Sequence, residues 1–188
     1  MTSRLLLLLL CGALPLLAQD PRLTSRFAAP VALRLAATID SAEREGLPTE
    51  PMVLRALEGQ AKGATPDQII AALARLGGAL RTARTTLGPE APAPELTTAA
   101  AALQAGVPQL RLSELRQLRG GMPVTAPLGA YLDLIARGAS ADGAWNRISD
   151  LARRRASDAE FVRLTPTDVD REAKPVRPPR PPANQGPP

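Results

Sequence analysis

One short sequence pattern recurs along the chain and constrains its fold more than any other feature. Its clearest copy is residues 63–76, GATPDQIIAALARL. Gly63 suits the left-handed turn that ends a helix, because glycine lacks the Cβ that makes this conformation costly. Thr65 suits the N-cap of a following helix, Pro66 suits its first turn, and Gln68 stands at the capping-box distance from Thr65. The segment therefore predicts that one helix ends and another begins.

The pattern keeps its register wherever it recurs. An apolar residue follows the first position, and the next residue is one that opens helices. The copies begin at Gly46, Gly63, Gly106, Gly121, Gly138 and Arg155, where arginine replaces glycine. Each unit holds one helix of roughly 12 residues and a turn, and such amphipathic helices must cover each other's apolar faces. We predict stacked antiparallel helical hairpins; chance matches in an Ala-rich and Leu-rich helical protein are the alternative.

The predicted fold class is all-α, as an irregular helical-hairpin repeat array or compact multi-helix bundle of about seven or eight short helices. This domain is expected to span residues 30–164, with a loop boundary at residues 88–94, GPEAPAP. Aromatic residues are only 2% of the chain, so the core should be aliphatic. A helix beginning after Thr65 should run to Leu87 through Gly77 and Gly78, where a kink or a close neighbour is expected. Its buried seam is predicted to comprise Ile69, Leu73, Leu76, Leu80, Ala83 and Leu87, packed within one bundle rather than in a coiled-coil dimer.

The first 19 residues are typical of a secretory signal peptide. An apolar run over residues 5–18 follows one basic residue and is too short to span a bilayer comfortably. Cleavage is expected after Ala18 or Gln19, which leaves no transmembrane segment and places the protein in the periplasm or outside the cell. Lipidation of Cys11 is not expected, because leucine rather than a small residue precedes it.

The segments that flank the predicted domain have different compositions. Residues 20–29 are predicted to be an N-terminal linker. Residues 165–188 are rich in proline and arginine and nearly free of apolar side chains, which predicts a disordered, polyproline-like tail. PxxP spacing with flanking arginines also resembles ligands of aromatic-lined grooves, although a solvated spacer is the simpler interpretation.

The inventory of reactive side chains argues against common forms of catalysis. The chain has no histidine, and its one cysteine, Cys11, lies in the predicted signal peptide. Ser-His pairs, Cys-His pairs and the usual zinc sites are therefore excluded from the mature chain. Its glycine pairs lack the context of phosphate-binding loops. We predict no catalytic residue, metal site or cofactor; a hydrolase that uses two carboxylates is the enzymatic alternative.

The chain is basic, with a formal net charge of +5. Among its 23 basic residues only Lys62 and Lys174 are lysines, which favours compositional bias over a phosphate-binding role. The arginines are interspersed with acids and lack aromatic neighbours, so nucleic acid is not a predicted partner. Binding to an anionic polymer or a membrane surface is the electrostatic alternative.

Four side chains form the candidate interaction surface: Tyr131, Arg153, Arg154 and Arg155. Tyr131 lies one position from an apolar stripe, so its hydroxyl is expected to reach water. The three arginines lie near a predicted helix C-terminus, where cations favour the helix dipole, and anion binding is their alternative role. Trp145, by contrast, occupies a core position of the recurring pattern.

Residues 46–63, GLPTEPMVLRALEGQAKG, with the preceding IDSAEREG, resemble a loose group of uncharacterised exported bacterial proteins. These proteins carry a GLPxEPLxxKALEGxxKG-like stretch followed by glycine-led helical units. The similarity covers most of residues 38–164, with Met52 and Arg55 where leucine and lysine would be expected. It implies export and a helical repeat, and it carries over no functional residue. The leading prediction is a non-catalytic structural or protein-binding module of the cell envelope, with an unidentified partner.

Overall fold

The computed structural model describes residues 20–173, and this part of the chain contains ten α-helices and no strand. The helices are α1 Pro21–Arg26, α2 Ala29–Arg44, α3 Glu50–Ala61, α4 Pro66–Leu87, α5 Ala93–Gln104, α6 Gln109–Arg119, α7 Thr125–Ala136, α8 Ala141–Arg153, α9 Asp158–Val162 and α10 Pro166–Ala173. The predicted all-α fold class is confirmed. The predicted signal peptide, residues 1–19, and the end of the predicted tail, residues 174–188, lie outside the described residues.

The helical part of the chain is longer at both ends than the sequence indicated. Residues 20–29, expected to be a linker, contain α1, whose Leu23 is only 2% exposed. The expected tail begins with α10, whose Val169 is 3% exposed and packs beside Gly143 of α8. Each short helix buries an apolar side chain against its neighbours, and composition alone does not reveal such a contact. The helices α2 to α9 account for the predicted seven or eight.

Five helix ends share one backbone turn. The first residue of the pattern has a positive φ, and the next residue donates its N–H to the carbonyl five positions earlier, a common helix C-cap. The five donors are Leu47, Ala64, Val107, Ala139 and Ala156, and their N···O distances are between 2.9 and 3.0 Å. Arg155 adopts this conformation with φ 54°, although it has a Cβ. At Gly121 the turn differs, because Gly120 also has positive φ and Met122 bonds to the carbonyl of Arg119 instead.

The helix starts follow the predicted capping chemistry. Thr65 and Gln68 form a capping box, in which the Thr65 N–H donates to Gln68 Oε1 at 2.8 Å and the Gln68 N–H donates to Thr65 Oγ1 at 3.3 Å. Ser157 and Glu160 form a second capping box at the start of α9. These local bonds satisfy backbone donors that the helix itself leaves free.

The longest helix, α4, lies at the centre of the first half and packs against α2, α3, α5 and α6. Its predicted seam is confirmed, because all six side chains are at most 5% exposed. The expected close neighbour at its glycines is absent: an added Cβ would meet nothing nearer than 3.7 Å at Gly77 and nothing within 4 Å at Gly78. The close helix approach is instead at Gly59, where a Cβ would lie 2.8 Å from Ile69.

The second half is arranged around α7, which packs against α5, α8 and α9. The helix α8 also contacts α6 and α10. The predicted loop at residues 88–94 is present but short, since α5 begins at Ala93, and α4 and α5 pack directly on each other. One continuous apolar core therefore crosses this boundary and extends from Leu23 to Val169.

Candidate interaction groove

Tyr131, one of the four predicted surface residues, lies in the core. It is 2% exposed, and its ring meets that of Trp145 edge-on, with centroids 5.7 Å apart and an interplanar angle of 79°. The expectation that its hydroxyl reaches water does not hold, because helices cover α7 on several sides. Burial raises the pKa of the Tyr131 hydroxyl. Trp145 is 5% exposed, as its position in the pattern predicted.

The other three predicted surface residues, Arg153, Arg154 and Arg155, are exposed at the end of α8. Arg153 Nη1 lies 2.7 Å from Asp150 Oδ1, and Arg154 Nε donates to the Asp150 carbonyl at 3.3 Å. These three arginines are therefore at the surface, whereas Tyr131 is buried. Beside Arg153 is a hollow of about 380 Å³ whose other lining residues are Glu114, Gln117 and Leu118.

A buried arginine that the sequence did not single out joins three segments of the second half. Arg119 is 2% exposed and donates to the carbonyls of Pro123 and Ala156 at 3.1 and 3.0 Å and to Asp158 Oδ1 at 2.5 Å. Its guanidinium also lies 5.3 Å from the Phe161 ring centroid. The signal was available in the sequence, because Arg119 follows Leu112 and Leu115 on the buried stripe of α6. Its role is to hold the fold together.

Glu95 is a second buried polar residue that the sequence did not reveal. Its side chain is 3% exposed, and Oε1 accepts the Val124 N–H at 2.7 Å and lies 3.4 Å from Arg116 Nη1. Glu95 thus caps the start of α7 from α5, because Val124 is the N-cap residue of α7 and its own side chain has no hydrogen-bonding group. This carboxylate also serves the fold.

An open groove lies where the turn between α2 and α3 meets the end of α4. We call it the Arg84 groove, and its volume is about 430 Å³. The turn supplies Glu45 and Leu47, α4 supplies Arg81, Arg84 and Thr85, and the loop after α4 supplies Gly88 and Pro89. Apolar surface from Leu47 and Pro89 therefore lies beside charged side chains.

The charged side of the Arg84 groove has more cations than anions. Arg81 holds the Glu45 carboxylate in a fork, with Nε at 2.5 Å and Nη2 at 2.8 Å from its two oxygens. Arg84 Nη1 donates to the main-chain carbonyl of Glu45. The bond from Arg81, assisted by the nearby charges of Arg44 and Arg84, lowers the pKa of Glu45. Two guanidinium groups, those of Arg81 and Arg84, thus line the groove together with one carboxylate.

The absence of a side chain at Gly46 leaves room for the Arg84 guanidinium. Its φ is 69°, and a Cβ added to it would lie 3.0 Å from Arg84 Nη1. Gly63 has nearly the same backbone conformation, with φ 73°, but an added Cβ there would meet nothing within 4 Å. A side chain at position 46 would therefore strain the turn and would also require the Arg84 guanidinium to shift by a small distance.

A separate hollow of about 210 Å³ between α1, α2 and α3 has three acidic residues in its lining, Asp20, Asp40 and Glu43. Asp20 is paired with Arg22 at 2.7 Å, and this bond lowers the pKa of Asp20. The pairing with Arg22 therefore favours the ionised form of Asp20. It also caps α1 by accepting the Arg22 N–H.

Within residues 20–173, no group of three or more His, Cys, Asp or Glu side chains could hold a metal ion. No helix in this part of the chain is both long enough and apolar enough to cross a membrane. Comparison of the chain with family models, curated proteins and solved structures gave no match.

Proposed function

We propose that the protein is a non-catalytic, protein-binding module of the cell envelope and that the Arg84 groove is its binding site. The observation that carries the proposal is the groove itself, in which apolar surface lies beside guanidinium groups that exceed the carboxylates. Arginine next to a concave apolar surface is a combination favoured in protein interfaces. Placement in the envelope follows from the signal-like residues 1–19.

The scaffold supports the proposal because both walls of the groove are held by backbone bonds. The Leu47 N–H donates to the Ala42 carbonyl at 3.0 Å, and the Gly88 N–H donates to the Arg84 carbonyl at 2.9 Å. A groove built on capped helix ends loses little conformational freedom when a partner binds. We further propose that the helical units are copies of one repeat, because five of their ends share the same turn.

Capture from an envelope extract tests the binding proposal. The mature protein is immobilised in three forms: wild type, Arg84→Gln and the control Arg137→Gln. Arg137 is a suitable control because it is exposed and, among residues 20–173, its ion pair is the local one with Asp133 of α7, at 3.0 Å. We expect a protein that wild type and the control retain and that R84Q loses. Equal capture by all three forms, or none by wild type, would count against the Arg84 groove as a binding site.

The cellular location needs its own measurement. Fractionation of cells that express the full-length chain should recover the protein outside the cytoplasm, shortened at its N-terminus near residue 19. Recovery of the uncleaved chain in the cytoplasm would contradict placement in the envelope, whatever the capture experiment shows.

One observation favours a second candidate, a hydrolase that uses two carboxylates. Asp40 and Glu43 line the same hollow as Asp20, and paired carboxylates are the minimum equipment for hydrolysis of a glycosidic bond. Turnover of purified envelope glycan by wild type, abolished in Asp40→Asn and Glu43→Gln, would establish this activity. Equal and negligible turnover by wild type and both variants would exclude this activity.

A further inference from the structure

We infer that the Arg84 groove accepts an acidic peptide segment, in which a carboxylate lies beside an apolar side chain. This inference rests on the proposed function and adds the chemical class of the partner. It is based on the hydrogen-bonding capacity that the groove leaves unused, on the shape of its apolar surface, and on the position of Glu45.

Arg84, which lines the groove, carries the unused capacity, and Arg44 at the end of α2 is a nearby charge outside the lining. Each guanidinium has five N–H donors. Arg84 bonds through Nη1 to the Glu45 carbonyl, and Arg44 bonds through Nε to the Asp40 carbonyl at 3.3 Å. Neither forms an ion pair with a carboxylate within residues 20–173. Because Arg84 is anchored at one nitrogen and half-buried, its remaining donors are held in place for an incoming anion.

The shape of the groove favours a peptide over a flat anionic surface. Leu47, which is 5% exposed, and the exposed Pro89 supply its apolar lining. Gly88, with φ 103°, adds no side chain that would narrow it. A concave site of about 430 Å³ accepts a few side chains at once, whereas a membrane surface would touch only its rim. An apolar side chain can therefore reach Leu47 while a neighbouring carboxylate meets Arg84.

Glu45 is an example of a carboxylate bound in the Arg84 groove, and its charge also opposes binding of a carboxylate from a peptide. Its two oxygens occupy the fork of Arg81 in the geometry that an arginine offers to any carboxylate. Its negative charge also opposes the approach of a second anion. Removing that charge should strengthen binding of an acidic peptide, whereas removing the Arg84 charge should weaken it. A loss of folding would weaken peptide binding in both variants, so it would not explain opposite effects at Glu45 and Arg84.

The test is fluorescence anisotropy with the mature protein and a labelled peptide, acetyl-Leu-Glu-Glu-Leu-Glu-amide. Its control is the same peptide with glutamine in place of each glutamate. Relative to wild type, we expect Arg84→Gln to weaken binding of the acidic peptide about tenfold and Glu45→Gln to tighten it severalfold. Arg137→Gln should leave binding unchanged. Binding should also weaken as ionic strength rises, because the contacts are partly exposed.

Three outcomes would overturn the inference. The glutamine peptide could bind as tightly as the acidic one, R84Q could bind like R137Q, or E45Q could weaken binding instead of tightening it. Sedimentation with phosphatidylglycerol vesicles supplies a further arm, in which vesicle binding without peptide binding would assign the groove to a lipid surface. If envelope capture depends on Arg84 but the acidic peptide does not bind, the proposed function stands and the acidic partner is excluded.

Discussion

Two arginines that both donate to main-chain carbonyls have opposite surroundings. Arg119 is 2% exposed and uses all three of its nitrogens, on two carbonyls and a carboxylate. Arg84 is half-buried and bonds through one nitrogen to one carbonyl, at the edge of an open groove. The difference teaches that one kind of side chain can spend all its donors on the fold, as at Arg119, or keep most of them unused, as at Arg84.

The largest expected effect comes from removing the buried arginine. In Arg119→Met the buried carbonyl of Ala156 and the partly buried carbonyl of Pro123 lose their donor, so the free energy of unfolding should fall by about 3 kcal/mol. Urea unfolding followed by far-UV circular dichroism measures this change. The matched variant Arg84→Met should stay within about 1 kcal/mol of wild type, since its bond is at the surface. Equal losses in the two variants would remove the distinction between the two arginines.

The second-largest loss of stability is expected from removing the buried carboxylate of Glu95. Glu95→Ala leaves the buried Val124 N–H without its acceptor, which should lower the free energy of unfolding by about 2 kcal/mol. Glu95→Gln keeps an oxygen that can accept this bond and should recover most of the loss in the same urea experiment. If glutamine were as harmful as alanine, the charge of Glu95 rather than its bond to Val124 would matter.

Substitution of Gly46 or Gly63, which have similar φ, should lower stability less, and only the Gly46 variant should also weaken peptide binding. Gly63→Ala should cost about 1 kcal/mol, because alanine is strained in the left-handed conformation. Gly46→Ala carries the same strain and also displaces Arg84, so it should cost more and should weaken peptide binding. Thermal unfolding and anisotropy on both variants separate the two causes. Equal stability and equal peptide binding would mean that Arg84 does not depend on the space at Gly46.

The smallest effect is the pH dependence at the groove. Because the bond from Arg81 lowers the pKa of Glu45 in the folded protein, this carboxylate favours folding above its unfolded pKa of about 4.3. That contribution should disappear as the pH falls through the lower pKa of the folded state. The stability difference between wild type and Glu45→Gln should therefore shrink below about pH 4 and also at high salt. A difference that is constant from pH 6 to pH 3 would contradict the ion pair.

The sequence predicted caps and helix periodicity better than it predicted which side chains distant helices would cover. Capping boxes and the α4 seam depend on residues within one or two turns, so their spacing predicted them correctly. The position of Tyr131 depends on helices distant in sequence that cover α7, and its own stripe does not show them. The same holds for α10, which is held where Val169 meets Gly143.

The Arg84 groove was beyond sequence reasoning for a related reason. Glu45 and Arg81 are 36 positions apart, and Glu45 and Arg84 are 39 apart. Only the packing of α2 and α3 against α4 brings them together. The predicted interaction surface instead contained three arginines that are adjacent in sequence, Arg153 to Arg155. Two of them already bond to Asp150.

Envelope capture by R84Q, measured alongside its stability, tests the central claim most directly. R84Q should lose the partner that wild type and R137Q retain, while its free energy of unfolding stays within about 1 kcal/mol of wild type. Undiminished capture by a stably folded R84Q would contradict it.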